Sequence, residues 1–141
     1  MNDATPNGSD ALTMHVPAPL ATVRELFEAA LQERGFGVLT EIDVQGVMKK
    51  KLDADHEAHR ILGVCSPAVG KGVLDHDRAL ATLLPCSVSL REVDGGTEVR
   101  VQDPIDLFDR MAPEALPALR GMLDDARAKL EAAVGALHEG A

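Results

Sequence analysis

The feature that most constrains this chain is Asp94-Gly95-Gly96, a glycine-rich turn set between two segments of alternating character, Leu83 to Val93 and Thr97 to Gln102. Such a turn between period-two runs predicts a β-hairpin. Charge decides its register. A two-residue turn at Asp94-Gly95 pairs Arg91 with Glu98, Leu90 with Val99 and Val88 with Val101. Moving the turn to Gly95-Gly96 sets Arg91 opposite Arg100, and like charges directly across a ladder destabilise it. The first register also matches apolar with apolar. Extended further, it brings Cys86 opposite Asp103.

Other elements gather around this hairpin. Leu12, Met14 and Val16 alternate with Thr13 and His15, as a short strand does. Pro17 and Pro19 end it, and Pro19 suits the first turn of a helix carrying Leu20, Val23, Phe27, Ala30 and Leu31 at helical spacing. Gly35 and Gly37 stop that helix. Phe36 to Ile42 reads as a strand. Asp43 reads as the N-cap of a short helix with Val44, Val47, Met48 and Leu52 on one face. Arg60 to Cys65 is a further strand. Ser66-Pro67, a capping hydroxyl and then proline, starts a helix running to about Asp77. Asp103-Pro104 opens another helical turn, and from about Pro113 the chain reads as helix. There Leu116, Leu119, Leu123, Ala126, Leu130, Ala133 and Leu137 form a narrow heptad seam. That seam fits either the sheet or a partner's helix, the sheet being the commoner destination. The expected class is α+β: a mixed or antiparallel sheet of about five strands, with helices mainly on one face. Residues 1–10 read as a disordered tail and 11–141 as one domain.

Composition removes several functions. At 141 residues, the chain fits one domain with a self-sufficient core. Three Phe are its only aromatics, so that core must be aliphatic. Net charge is −9, and the one basic block is Lys49-Lys50-Lys51, so neither nucleic acid nor membrane is expected as a partner. No apolar run approaches the roughly 18 residues of a membrane span. The start lacks the apolar segment of a signal peptide, and two cysteines make no disulfide framework. A cytoplasmic location with reduced thiols is the expectation.

The two cysteines, Cys65 and Cys86, are the candidates for chemistry. Each is first of all a small hydrophobe, as free cysteine usually is. Cys65 also precedes a helix N-terminus, where the dipole and free N–H groups favour a thiolate. Cys86 gains Asp103 from the hairpin register, although Asp103 has its own use as a helix cap. Lys51 edges the apolar side of its helix, where it either snorkels to water or reaches a pocket. His56 and His59 are spaced by three, but in a loop entering a strand. A zinc site of His59, Cys65 and Cys86 is conceivable, but with no C-x-x-C or H-x-x-x-H pair neither a metal nor another cofactor is expected. Gly35-Phe36-Gly37 follows a helix and precedes a strand, the wrong order for a dinucleotide loop. Val69-Gly70-Lys71-Gly72 lacks the spacing of a phosphate-binding loop, and there is no Gly-x-Ser-x-Gly elbow.

Several blocks in order resemble the DUF302 family: Gly35 to Val44, Arg60 to Pro67, Leu83 to Val88, and Asp103-Pro104. The resemblance covers about residues 12 to 137. It implies a small α+β domain, often a homodimer, of unestablished molecular function. It also implies a site: a lysine at Lys49 or Lys51, a cysteine at Cys65 and at Cys86, and Asp-Pro at 103–104. The family commonly has asparagine where this chain has Ser66 and Ser87. The expected pocket is therefore lined by Lys51, Cys65, Ser66, Cys86 and Asp103. Three functions fit it: a small-ligand-binding or sensing domain, a redox or nucleophilic enzyme using Cys65 or Cys86, and a structural dimerisation domain without chemistry.

Overall fold

The computed structural model describes residues 12–140, so the tail expected over 1–10 lies outside the described residues. The elements run β1 (Thr13–Val16), α1 (Leu20–Gln32), β2 (Gly37–Asp43), α2 (Val44–Leu52), β3 (His59–Cys65) and α3 (Pro67–His76). A 3-10 helix (Arg78–Leu83), β4 (Cys86–Val93), β5 (Gly96–Val101), α4 (Pro104–Met111) and α5 (Leu116–Gly140) follow. The strands form one sheet in the order β1-β5-β4-β3-β2, and every neighbouring pair is antiparallel. The fold is α+β.

The hairpin takes the register that charge demanded, with Arg91 opposite Glu98, Leu90 opposite Val99 and Val88 opposite Val101. Gly95 supplies the positive φ, 80°, that its turn needs. β4 starts later than expected. Leu83 closes the 3-10 helix, and a cis Leu84–Pro85 bond leads into Cys86.

One face of the sheet is apolar. Val16, Leu62, Val64, Val88, Leu90 and Val99 are buried there beneath α1 and α5. α1 contributes Val23, Phe27, Ala30 and Leu31, the residues its periodicity singled out. All seven seam residues of α5 are buried within this one chain, Leu123 and Leu130 at 1% exposure each. The seam therefore serves the chain's own core. Its first half, Leu116 to Leu123, belongs to a second apolar cluster with Val73, Leu80 and Phe108 from α3, the 3-10 helix and α4. Ala126 to Leu137 belongs to the cluster on the sheet.

The capping residues behave unequally. The Asp43 side chain accepts from the Gly46 N–H, and Asp103 accepts from the N–H groups of Ile105 and Asp106. Ser66 is the N-cap of α3, but its hydroxyl makes no capping bond. Pro19 sits at the N-cap of α1, one residue before its expected place. α2 departs most from expectation. Of its apolar side, only Val44 is buried, while Val47 and Leu52 face outward. With Leu39 and Ile42 of β2, they leave a run of exposed apolar side chains on this edge of the sheet.

Candidate functional site

The cysteines come from adjacent strand ends. Val64 pairs directly with Cys86, so Cys65 lies one residue beyond Cys86's partner. Both line a narrow cavity of about 30 Å³, walled by side chains such as Phe36, Val69, Phe108 and Leu123. That is room for a water molecule or two, not for an organic ligand. Both thiols are free, and each is turned to a different carbonyl. Cys65 Sγ donates to the Ser66 carbonyl at 3.3 Å, and Cys86 Sγ to the Gln102 carbonyl at 3.1 Å.

Burial raises both thiols above their ordinary range. It pushes Cys86 up to about 12, with the nearby Cys65 and Asp103 adding to the effect. It also raises Cys65, against the opposing pull of the Gly70 N–H on its sulfur. The helix N-terminus beside Cys65 was expected to favour a thiolate; removal from water outweighs it. The linkage has a definite sign. The folded chain holds the Cys86 proton where the unfolded chain, with an ordinary thiol near 9.0, has lost it. The stabilisation is complete below pH 9 and declines as pH rises toward 12, by up to ~1.4 kcal/mol per pH unit. Urea melts across this range are expected to show that decline in the wild type and a flatter profile in Cys86→Ala. Equal profiles would refute the assignment.

The other expected site residues scatter. Ser66 lines the cysteine cavity. Lys51 is exposed on the last turn of α2 and does not line that cavity. With Lys49 and Lys50 it complements the helix C-terminus. Asp103 lies near Cys86 but does not orient its thiol. One carboxylate oxygen caps α4, and the other accepts from Arg127 Nε at 2.9 Å. Asp103→Ala is expected to cost about 1–2 kcal/mol through loss of the cap. Asp103→Asn keeps the cap, so its thermal melt should lie closer to wild type. Equal losses in the two variants would assign the whole effect to the Arg127 pair.

The opposite face of the sheet carries a larger feature. Three rows of side chains cross it. Ile42, Ile61, Ser89, Arg100 and Thr13 are successive cross-strand partners. Thr40, Gly63 and Ser87 form a second row, continued by Gln102, whose backbone N–H donates to the Ser87 carbonyl. His59, Arg91, Glu98 and His15 form the third. The centre of this face is built from glycine and serine, so a groove of about 490 Å³ lies over it, lined by Thr13, His59, Ser87, Ser89, Arg100 and Gln102 among others. Asp103 stands at its end. At Gly63 the face is covered: a Cβ there would strike the Thr40 hydroxyl and come within 2.6 Å of the Pro85 ring.

A chain of polar contacts enters this groove. His59 Nε2 lies 2.9 Å from the Ser89 hydroxyl, and His59 Nδ1 lies 3.2 Å from His56 Nε2. The two rings are tilted by only 12° with centroids 5.5 Å apart. At that N···N distance, this is the separation of two imidazoles joined edge to edge along a shared N–H···N axis. His56, Glu57 and His59 bring ligating atoms within 4.8 Å of one another. The two ring nitrogens, however, face each other and not a common point between them. His59, Cys65 and Cys86 do not form a zinc set, because His59 and Cys65 stand at opposite ends of β3, about 20 Å apart at the strand rise. Burial lowers the proton affinity of His59, as do His56 and Arg91 to a lesser degree. His59, Ser89 and Arg100 were not singled out as a site in the sequence. The available signal was the polar parity of Ser87, Ser89 and Arg91 on one strand.

A family model described as "Domain of unknown function DUF302" matches residues 12–137. No curated protein matches the chain. Among solved structures, it is similar to the crystal structure of an uncharacterized conserved DUF302 protein from Bacillus stearothermophilus. The TM-score is 0.76 at 26% identity, over 86% of this chain and 92% of that one.

Proposed function

Because the chain belongs to the DUF302 family, whose description states no function, we propose its role from its own geometry: it binds a small ligand in the groove on the open face of the sheet. The observation that carries this reading is size combined with chemistry. The groove, at about 490 Å³, falls within the usual range for small-molecule sites, whereas the cysteine cavity does not. Ile61 offers an apolar floor, while Ser87, Ser89, Arg100 and Gln102 converge as polar partners. Arg100 is held by Glu98 at 3.3 Å, which fixes the guanidinium for recognition of a carboxylate or carbonyl oxygen. The cysteines then serve the core, and Asp103 borders the site without being spent on it.

Titrating a ¹⁵N-labelled sample with a panel of small carboxylates and carbonyl compounds tests this. Shifts are expected to gather at Ser87, Ser89, Arg100 and Gln102, and Arg100→Ala should weaken binding about tenfold or more. Shifts centred on Cys65 and Cys86, or none with any compound, would overturn the reading. The homodimer implied by the family resemblance belongs to the same proposal. The exposed Leu39, Ile42, Val47 and Leu52 support a self-contact through β2 and α2, not through α5. Sedimentation of Leu39→Glu, Val47→Glu should then show a monomer where the wild type is dimeric.

A further inference from the structure

We infer that Ser89, His59 and His56 form a nucleophile, general base and positioning residue, and that the groove performs acyl transfer on a small ester or thioester. The inference rests on the groove being the ligand site.

The geometry supplies each part in order. Ser89 Oγ and His59 Nε2 are within hydrogen-bond reach at 2.9 Å, the contact a hydroxyl nucleophile needs with its base. The other ring nitrogen of His59 meets His56 Nε2 at 3.2 Å. In the tautomer the relay uses, the Ser89 hydroxyl donates to His59 Nε2, and the His59 Nδ1–H donates to His56 Nε2. The edge-to-edge ring alignment allows that tautomer. Arg100 is the direct cross-strand partner of Ser89 and lines the same groove. Its guanidinium can therefore face negative charge that develops on an oxygen above Ser89. Glu57 brings a carboxylate oxygen 3.8 Å from that same His56 Nε2.

The step balances without an outside oxidant or reductant. Ser89 Oγ attacks the acyl carbon, and its proton passes to His59 Nε2. The bond from the acyl carbon to the alcohol or thiol leaving group breaks, and His59 returns the proton to that group. Water then attacks the acyl-serine, giving its proton to His59. The carboxylic acid leaves, and Ser89 recovers its hydrogen. His59 must be neutral to begin. The groups that face it are His56 and Glu57 from the connection before β3, Arg91 on β4 and Glu98 on β5. Their balance, with burial, favours the neutral ring.

The test uses a small alkyl phosphonofluoridate, which modifies activated serines, on the full chain. Peptide mapping by mass spectrometry is expected to find the adduct on Ser89. His59→Gln should slow labelling about a hundredfold. His56→Gln should slow it less, and should move the pH of half-maximal labelling upward, because His56 holds the proton affinity of His59 down. A merely structural role for His56 would leave that pH unmoved. Circular dichroism checks that each variant folds. An adduct elsewhere, or equal labelling of wild type and His59→Gln, overturns the relay. Amide shifts at Ser87, Arg100 and Gln102 without any adduct would overturn the relay while leaving the groove as a binding site. Neither shifts nor adduct would overturn both.

Discussion

Replacing Leu123 and Leu130 together with glutamate is expected to leave no folded protein. Both side chains are 1% exposed, and they sit in the two different apolar clusters that α5 joins. Removing a buried leucine alone costs about 2–5 kcal/mol. A carboxylate in its place adds the cost of burying an unpaired charge or of protonating it. Two such sites together exceed or exhaust a stability of about 5–15 kcal/mol. Circular dichroism and a one-dimensional proton spectrum would report the loss. A variant that still melts cooperatively would mean that α5 leaves the body of the domain more easily than its burial implies.

Gly96→Ala is expected to cost about 3 kcal/mol, the upper part of the range for overpacking a filled site, and to lower the melting temperature by about 10 °C. An added Cβ would collide with the Val16 carbonyl oxygen and come within 2.9 Å of Pro17 Cα. Both are backbone atoms, and this backbone cannot retreat. Val16 is paired with Thr97 on β5, and the buried Thr97 hydroxyl donates to the Ala18 carbonyl at 2.9 Å. Gly95→Ala makes the contrast. A methyl group there meets nothing within 4 Å, so its cost is only that of holding alanine at a φ of 80°, about 1–2 kcal/mol. Thermal melts of the two variants should differ clearly. Equal losses would mean that the turn's dihedral, and not the close approach of β1, makes glycine necessary at 96.

What was legible in the sequence shares one property: it depended on near neighbours. The β4–β5 register could be read because Arg91, Glu98 and Arg100 lie close along the chain, and only one pairing avoids a like-charge clash. The faces of α1 and α5 were legible from spacing alone. Placing the site needed the β3–β4 pairing, and α3 and the 3-10 helix separate those strands. Without that pairing, His59 could not be set beside Ser89. Which way Lys51 turns was not legible for a related reason. Periodicity gave α2 an apolar side but not what covers it, and Val47 and Leu52 there are exposed. Cys65 and Cys86 could each be set at a strand end, but the cavity they line depends on how tightly four helical segments close over it. No local pattern reports that.

The division of α5 between two clusters has a consequence for the order in which this protein can be made. The strands, α1 and the hairpin are all present once residue 101 has been synthesised, yet the apolar face of the sheet still lacks Ala126, Leu130, Ala133, Val134 and Leu137. On the ribosome, that face stays open to water or to a chaperone until those residues emerge from the exit tunnel. Neither cluster is complete without α5, so the covering of the sheet and the closing of the second cluster depend on the same late segment.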